Sequence, residues 1–210
     1  MIISLGTHCF AAHVLKSLPY RREKSPFDWL FSNPAMVLDC LQNDFARLTS
    51  PDEHVAVPME ERPHPPFGAS DHPYYRSLGV PMAVFNHHDV VTKPNDFDYI
   101  KESAATILAL DKSRQKLFFI ATVWPAPLSV YRSIFDNLER FGSARLLIVD
   151  ILPAGICNLD TIISEENFEV IQYTPYSALE GIQFRDERDF ENLRSLVLER
   201  VPAETPGFGL

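Results

Sequence analysis

The sequence predicts an α/β fold, with a mainly parallel sheet of about five strands flanked by helices, as in Rossmann-like and flavodoxin-like proteins. Near-continuous apolar runs at residues 116–123, 145–150 and 168–173 are typical of strands that are buried on both faces. Helical patterns separate these runs, and this alternation favours a parallel sheet. The chain has 210 residues, of which 46% are hydrophobic, so we expect one domain over residues 1–210.

The first predicted unit is an apolar strand at residues 2–5, a turn that contains Gly6, and a helix that begins near Cys9. The N–H groups and the positive dipole end of a helix stabilise an anion, so this position favours a thiolate. His8 is adjacent to Cys9, and His13 follows one helical turn later. A reactive cysteine needs such a setting, so Cys9 is a candidate nucleophile. Two alternatives stay open: Cys9 packs as a small hydrophobic residue, or it binds a metal together with His13.

Residues 18–79 are predicted to form an insertion after this unit. The block at residues 25–31 contains Asp28 and Trp29, and Asp28 is expected either to cap a helix or to orient a polar group in a site. A helix is predicted to begin at Pro34, with apolar residues on one face as far as Leu48.

The second half of the insertion is rich in proline. Prolines recur through residues 50–73 and exclude regular helix or central strand, although residues 54–57 could form a short extended piece. We expect His64 and His72 in this segment to face solvent. Long loops within compact domains are usually functional lids or disordered, and both interpretations stay open for this segment.

Regular structure is predicted again from residue 80 onward. The expected elements are strand 80–85, helix 97–110, strand 116–123, helix 128–141 closed by Gly142, strand 145–150, strand 168–173 and helix 187–200. We expect an irregular tail over residues 202–210.

Ligands of open α/β sheets bind beyond the carboxyl ends of the strands. The first predicted strand ends at Gly6, His8 and Cys9, and the strand at 80–85 ends at His87, His88 and Asp89. The next two strands end at Trp124 and Asp150. We therefore expect Cys9 and the His-His-Asp cluster to converge on one edge of the sheet. The alternative is that His87 and His88 only cap that edge.

Composition limits the possible partners. The net charge of −9 argues against nucleic acid and anionic membrane surfaces. The sequence has no run of eighteen apolar residues, so we expect no membrane span. The first residues lack the basic and then apolar segments of a signal peptide. Three widely spaced cysteines indicate neither a disulfide framework nor a zinc motif, so we expect free thiols, no metal and a cytoplasmic location. Without a glycine-rich phosphate-binding motif, no cofactor is expected.

Three sequence blocks resemble the signature of a bacterial domain family of unknown function that is described as papain-like cysteine peptidases. They are Ile-Ser-Leu-Gly with Cys9, Pro-Phe-Asp-Trp at residues 26–29, and Phe-Asn-His-His-Asp at residues 85–89. The resemblance implies Cys9 as the nucleophile and His88, beside Asp89, as the base. It also implies a papain-like α+β fold as an alternative to the parallel sheet. Neighbours on a strand point to opposite faces, so Asp28 or Asp150 could orient the histidine instead of Asp89.

The sequence as a whole predicts a hydrolase or acyl transferase with a Cys–His pair, acting on an unknown small-molecule or peptide substrate. His13 is the rival of His88 as the base. The predicted substrate-binding residues are Gly6, His8, Asp28, Trp29, His87, Trp124 and Asp150. One alternative is a non-catalytic Rossmann-like module that binds a small polar ligand. Another is an esterase of the flavodoxin-like type, although no histidine follows His88 to complete the C-terminal Asp-x-x-His of that class.

Overall fold

A five-stranded sheet forms the centre of the computed structural model, which describes residues 1–20, 23–62 and 64–202. The strands of the described chain are β1 (Ile2–Ser4), β2 (Val55–Ala56), β3 (Ser70–Asp71), β4 (Lys116–Thr122), β5 (Ala144–Ile151), β6 (Asn158–Ser164), β7 (Phe168–Thr174), β8 (Leu179–Glu180) and β9 (Gln183–Phe184). The main sheet has the order β1-β4-β5-β7-β6. Its first four strands are parallel, and β6 is antiparallel to β7. The mainly parallel sheet predicted from the sequence is therefore confirmed.

Helices flank the sheet. They are α1 (Cys9–Lys16), α2 (Pro34–Gln42), α3 (Pro73–Ser77), α4 (Pro94–Leu108), α5 (Leu128–Leu138) and α6 (Glu187–Leu198). Single 3₁₀ turns occur at Pro26–Asp28, Pro51–Glu53, Met59–Glu61 and Glu139–Phe141. Two short antiparallel pairs, β2 with β3 and β8 with β9, lie outside the main sheet.

The core has two layers because side chains alternate across the strands. Ile3 of β1 and Phe118 of β4 belong to the cluster that contains buried residues of α2, α4 and α5. Their chain neighbours Ile2 and Leu117 belong to the cluster that contains buried residues of α1 and α6. Both faces of the parallel strands are therefore covered, which explains their near-continuous apolar sequences.

The predicted strand at residues 80–85 is wrong. Pro81 has no N–H to donate to a sheet. Val84 donates its N–H to Oδ1 of Asp71 at 2.9 Å and accepts a hydrogen bond from the N–H of Phe31 at 3.0 Å. Phe85 makes an isolated bridge with Ser70. Contacts with Phe31, Ser70 and Asp71 therefore hold this segment, which is not part of the main sheet. The next strand of the main sheet after β1 is β4. The single-domain division and the insertion at residues 18–79 stay predictions.

Several boundaries also differ from prediction. Helix α2 ends at Gln42 because Asp44 and Phe45 have φ values of 54° and 61°, in the left-handed region. Phe45 and Leu48 are nevertheless buried in the core, as their spacing predicted. Gly142, with φ 85°, follows the turn after α5, as expected of a residue that ends a helix. Residues 203–210 of the predicted tail lie outside the described residues.

Candidate active site

The turn after β1 is fixed against the end of β4. Leu5 donates its N–H to the carbonyl of Phe119 at 2.8 Å, and Thr7 donates to that of Ala121 at 3.2 Å. Gly6 has φ 91°, and a Cβ added there would lie 2.6 Å from Oγ of Ser32. Only glycine suits this position, because the backbone is left-handed and the space beside it is already occupied.

His8 and Cys9 begin helix α1. Cys9 is the first helical residue, and His8 is the N-cap. Nδ1 of His8 accepts a hydrogen bond from the N–H of Phe10 at 3.1 Å, so the neutral ring carries its proton on Nε2. Burial lowers the pKa of His8, which favours this neutral form. His8 lines the cavity described below with an N–H donor at Nε2, while its acceptor nitrogen is already occupied and is not available as a base.

The thiol of Cys9 is buried, with 5% of the residue exposed. Burial raises the pKa of Cys9 to about 11, and the hydrogen bond to its own backbone N–H offsets this only in part. The sequence predicted a thiolate stabilised by the helix start. In the structure, desolvation of the charged form outweighs that stabilisation. The resting thiol at neutral pH is protonated.

A cavity of about 700 Å³ lies at the carboxyl ends of β1 and β4, beside the turn between β8 and β9. Its polar lining residues are His8, Cys9, His64, Asn86 and His87. Its apolar lining residues are Trp29, Phe31, Phe67, Met82, Val123, Trp124, Leu179 and Ile182, and Gly181 completes the wall. The cavity therefore lies where the parallel topology predicted a ligand site.

His87 is the residue of the His-His-Asp cluster that reaches this cavity. Its ring lies edge-on to Trp29 and Phe67, with centroid distances of 5.8 and 5.2 Å. The side-chain amide of Asn86 is 3.3 Å from Nε2 of His87. Burial lowers the pKa of His87, so the ring is neutral at pH 7 and has one nitrogen able to accept a proton.

His88 and Asp89 do not line the cavity. His88 stacks on Tyr99 with a centroid distance of 4.9 Å, and its Nδ1 lies 3.9 Å from Oδ1 of Asp96. Asp89 accepts hydrogen bonds from Ser70 Oγ at 2.9 Å and from the N–H and hydroxyl of Thr92. Burial opposes ionisation of Asp89, but these hydrogen bonds outweigh it and hold the pKa below its ordinary value. Cys9 and His87 thus line the same cavity, and Asp89 does not line it.

Four other predicted residues also lie away from the cavity lining, and one of them is Gly6, which packs against Ser32 in the turn after β1. Asp28 forms a capping box, in which its carboxylate accepts the N–H of Ser25 at 3.2 Å. Asp150 accepts a hydrogen bond from the hydroxyl of Tyr131, and burial raises its pKa. His13 lies 5.3 Å from Phe190, ring to ring, and lines a different cavity. Of the residues weighed as orienting acids, neither Asp28 nor Asp150 lines the cavity of Cys9.

The sequence analysis missed part of the site. His64 is exposed, as predicted, but it lines the cavity, together with Phe67 and Met82. The available signal was the proline-rich loop itself, because long loops within domains often carry function. Leu179 and Ile182 gave no signal, since a two-residue strand on each side of a turn has no detectable periodicity. His72, in contrast, is fully buried, so its predicted exposure is wrong.

The described part of the chain shows neither a metal-binding cluster nor a membrane-spanning helix. In that part, no group of three or more His, Cys, Asp or Glu side chains could hold a metal ion. None of its helices has the length and apolar character needed to span a bilayer. Cys9, Cys40 and Cys157 are free thiols.

Comparison with known proteins gives one match. A family model described as "putative papain-like cysteine peptidase (DUF1796)" matches residues 1–126. No curated protein and no solved structure matches the chain. All five polar residues that line the cavity lie inside the matched segment, whereas Leu179 and Ile182 lie outside it.

Proposed function

The chain belongs to the family described as putative papain-like cysteine peptidases, and from this premise we propose that it is a thiol-dependent hydrolase or acyl transferase with Cys9 as its nucleophile. One observation carries the proposal. Cys9, the first residue of α1, lines a cavity at the carboxyl ends of parallel strands, and His87 lines the same cavity. A buried thiol and a neutral imidazole in one cavity are the two groups that thiol-dependent acyl transfer requires.

We assign the base to His87 rather than to His88. His87 lines the cavity, whereas His88 is packed on Tyr99 beside helix α4. His8 is closer to Cys9 in sequence, but its acceptor nitrogen already accepts a hydrogen bond from the N–H of Phe10, so it is not available as the base. His64 is the remaining histidine of the cavity lining, and its position in the proline-rich loop makes it the second choice.

Asn86 is the proposed positioning residue for His87. The nitrogen and oxygen of an amide are assigned from their hydrogen-bond partners, because their positions are interchangeable. The amide nitrogen faces Nε2 of His87 in the structure; turned so that its oxygen takes this place, Asn86 accepts a hydrogen bond from the Nε2 N–H and leaves Nδ1 as the base. A Cys–His–Asn set of this kind is the arrangement of papain-like proteases.

The proposed reaction begins from a neutral pair. His87 accepts the thiol proton while the sulfur forms a bond to the carbonyl carbon of the substrate. The bond from that carbon to the leaving group breaks, and the leaving group takes the proton from His87. Water, or another acceptor in a transferase, then attacks the thioester carbon while His87 takes its proton. The S–C bond breaks, and His87 returns that proton to the sulfur of Cys9. Since burial keeps the thiol protonated at rest, the base acts during attack rather than before it.

Competitive alkylation of the three thiols tests this proposal. Cys40 is fully buried against Tyr75, and Cys157 is partly exposed. At pH 7, limiting iodoacetamide should modify Cys9 faster than Cys157, with Cys40 slowest, as peptide mass spectrometry would show. Exposure alone predicts that Cys157 reacts first, so that order would count against an activated Cys9.

The second candidate is a non-catalytic binding module with the same cavity. The high pKa of the Cys9 thiol favours it, since a packed cysteine without an activating partner has this property. In the described part of the chain, no histidine forms a hydrogen bond with Sγ of Cys9, although catalytic contacts often form only when substrate binds. The alkylation order separates this candidate from the first.

A further inference from the structure

The cavity of Cys9 has an uncharged lining. Of all its lining residues in the described chain, none is Asp, Glu, Lys or Arg, although these types make up 22% of the sequence. A charged ligand group would lose its hydration there without an ionic partner, and that loss is costly. The lining therefore disfavours substrates that carry charge on the part bound in the cavity.

Large apolar side chains form most of the wall. Trp124 contacts His8 and Phe31 ring to ring, at centroid distances of 5.7 and 6.4 Å. Leu179 and Ile182, from the turn between β8 and β9, also line the cavity. The volume of about 700 Å³ lies within the range of small-molecule sites, which is roughly 300–1,000 Å³. An apolar chain or ring of the substrate can therefore be buried beside the nucleophile.

We propose that this cavity binds the apolar, uncharged acyl group of an ester, thioester or amide, an inference that rests on the proposed nucleophilic role of Cys9. Attack by sulfur forms the S–C(acyl) bond, the bond to the leaving group breaks, and His87 passes the thiol proton to that group. The acyl group alone stays bound to Cys9 until the second step, in which water attacks the acyl carbon, the S–C(acyl) bond breaks and His87 passes a proton from the water to the sulfur. The wall next to Cys9 therefore has to fit the acyl group in both steps.

A binding experiment tests the ligand class without any turnover. The chain contains two tryptophans, Trp29 and Trp124, and both line the cavity, so tryptophan fluorescence reports its occupancy. The Cys9→Ser protein is titrated with methyl octanoate and with monomethyl suberate, which has the same acyl length but ends in a carboxylate. The two esters have the same methylenes and differ only in a terminal methyl group or carboxylate, so the cost of desolvating the charge should make methyl octanoate bind at least about tenfold more tightly.

Two matched variants locate the binding. Ile182→Asp places a charge in the cavity wall, whereas Ile156→Asp changes a residue that is 93% exposed and does not line the cavity. Ile182→Asp should weaken methyl octanoate binding by about tenfold or more, and Ile156→Asp should leave it unchanged. Equal affinities of Cys9→Ser for the two esters, or equal effects of the two variants, would overturn the inference.

Hydrolysis of three substrates by the unmodified chain tests the proposed function separately from the ligand class. It also shows whether the apolar acyl group comes from an aliphatic ester or from a peptide. The substrates are p-nitrophenyl octanoate, p-nitrophenyl acetate and the p-nitroanilide of N-acetylphenylalanine. Faster release from the octanoate than from the acetate supports the inference with an aliphatic source, and cleavage of the anilide supports it with a peptide source. Selective octanoate binding by Cys9→Ser without turnover of any substrate by the parent would support the ligand class and count against the proposed function. Turnover that requires Cys9 but favours the acetate would keep the function and overturn the inference.

Discussion

The ring of His8 caps the helix on which Cys9 lies: its Nδ1 accepts the N–H of Phe10 at 3.1 Å. A helix leaves its first N–H groups without partners, and an N-cap side chain satisfies one of them. The cap fixes the start of α1, and the contact of His8 with Trp124 joins that start to the loop after β4. The histidine next to Cys9 thus has a structural role, which is to cap helix α1.

The cap predicts different effects for two substitutions. His8→Ala removes the acceptor and should lower the free energy of unfolding by about 1 kcal/mol, measured by urea titration at pH 8. His8→Asn restores a short acceptor at the N-cap and should recover most of that loss. Equal destabilisation by both changes would show that packing against Trp124, rather than capping, is what His8 contributes.

The close approach of Gly6 to Ser32 predicts that Gly6→Ala is severe. The new Cβ would meet Oγ of Ser32 at 2.6 Å, in addition to the strain of φ 91°. Gly79→Ala is the matched control, because Gly79 has φ 86° but its Cβ would lie 3.6 Å from its nearest neighbour. Left-handed strain alone costs about 1–2 kcal/mol, so the control should lose about that much and Gly6→Ala clearly more.

A double variant separates clash from strain at Gly6. Ser32→Ala removes the clashing oxygen, so it should rescue part of the stability that Gly6→Ala loses in urea unfolding. Additive losses in the Gly6→Ala/Ser32→Ala protein would show that the contact with Ser32 is not the cause.

The buried pair His54 and His72 predicts loss of stability in acid. Nε2 of His54 lies 3.1 Å from the carbonyl of Leu48, while Nδ1 is buried and has no hydrogen-bond partner among the residues that the structure describes. Burial, together with the neighbouring His72, lowers the pKa of His54 to about 4. The unfolded chain, with a histidine pKa near 6.5, therefore binds more protons than the folded chain between pH 6.5 and 4.

Stability from His54 is thus complete above pH 6.5 and is lost as the pH falls towards 4, by up to about 3 kcal/mol. Urea unfolding at several pH values measures it. His54→Gln should reduce the slope of this part of the profile, to which other buried histidines such as His72 also contribute, whereas His64→Gln, at an exposed histidine, should leave it unchanged. A parent profile that is flat from pH 6.5 to 4 would contradict the prediction.

We expect the hydroxyl of Tyr131, which donates a hydrogen bond to Asp150, to stabilise the position of the loop that contains Trp124. The hydroxyl of Tyr131 also accepts the N–H of Ala126 at 3.0 Å, so it anchors the loop after β4. Tyr131→Phe should cost about 1–3 kcal/mol of unfolding free energy and shift tryptophan emission to the red. Tyr176→Phe, at an exposed tyrosine, is the control. No spectral difference between the two variants would show that the Trp124 loop is held by other contacts.

The buried strands were predictable because their sequences carry the signal of burial on both faces. Strands β4 and β5 are apolar along their lengths, and Gly142 marks the end of the helical segment between them. Strand β6 lies at the edge of the sheet and is mostly exposed, so its sequence lacks that signal. The segment at 80–85 has the apolar content of a strand but is held by Asp71 and Phe31, contacts that no local pattern reveals.

The candidate site was predictable to the level of segments but not of side chains. Parallel topology placed the end of β1 and the loop after β4 on one edge, which is where Cys9 and Trp124 line the cavity. The choice between His87 and His88 depends on which ring packs against Tyr99 and which lies between Trp29 and Phe67. These contacts come from distant parts of the chain, so the sequence block alone could not decide between the two histidines.

The pH dependence of Cys9 alkylation tests the central claim most directly. The rate of Cys9 modification by iodoacetamide is followed by peptide mass spectrometry from pH 5 to pH 10 in the parent, His87→Gln and His88→Gln proteins. If His87 is the base, the parent rate rises through the lowered pKa of His87 and is nearly level around pH 7. His87→Gln should lose at least about tenfold at pH 7 and rise only towards the thiol pKa of about 11, while His88→Gln follows the parent. A single rise towards pH 11 in all three proteins would contradict the claim and favour a non-catalytic binding module.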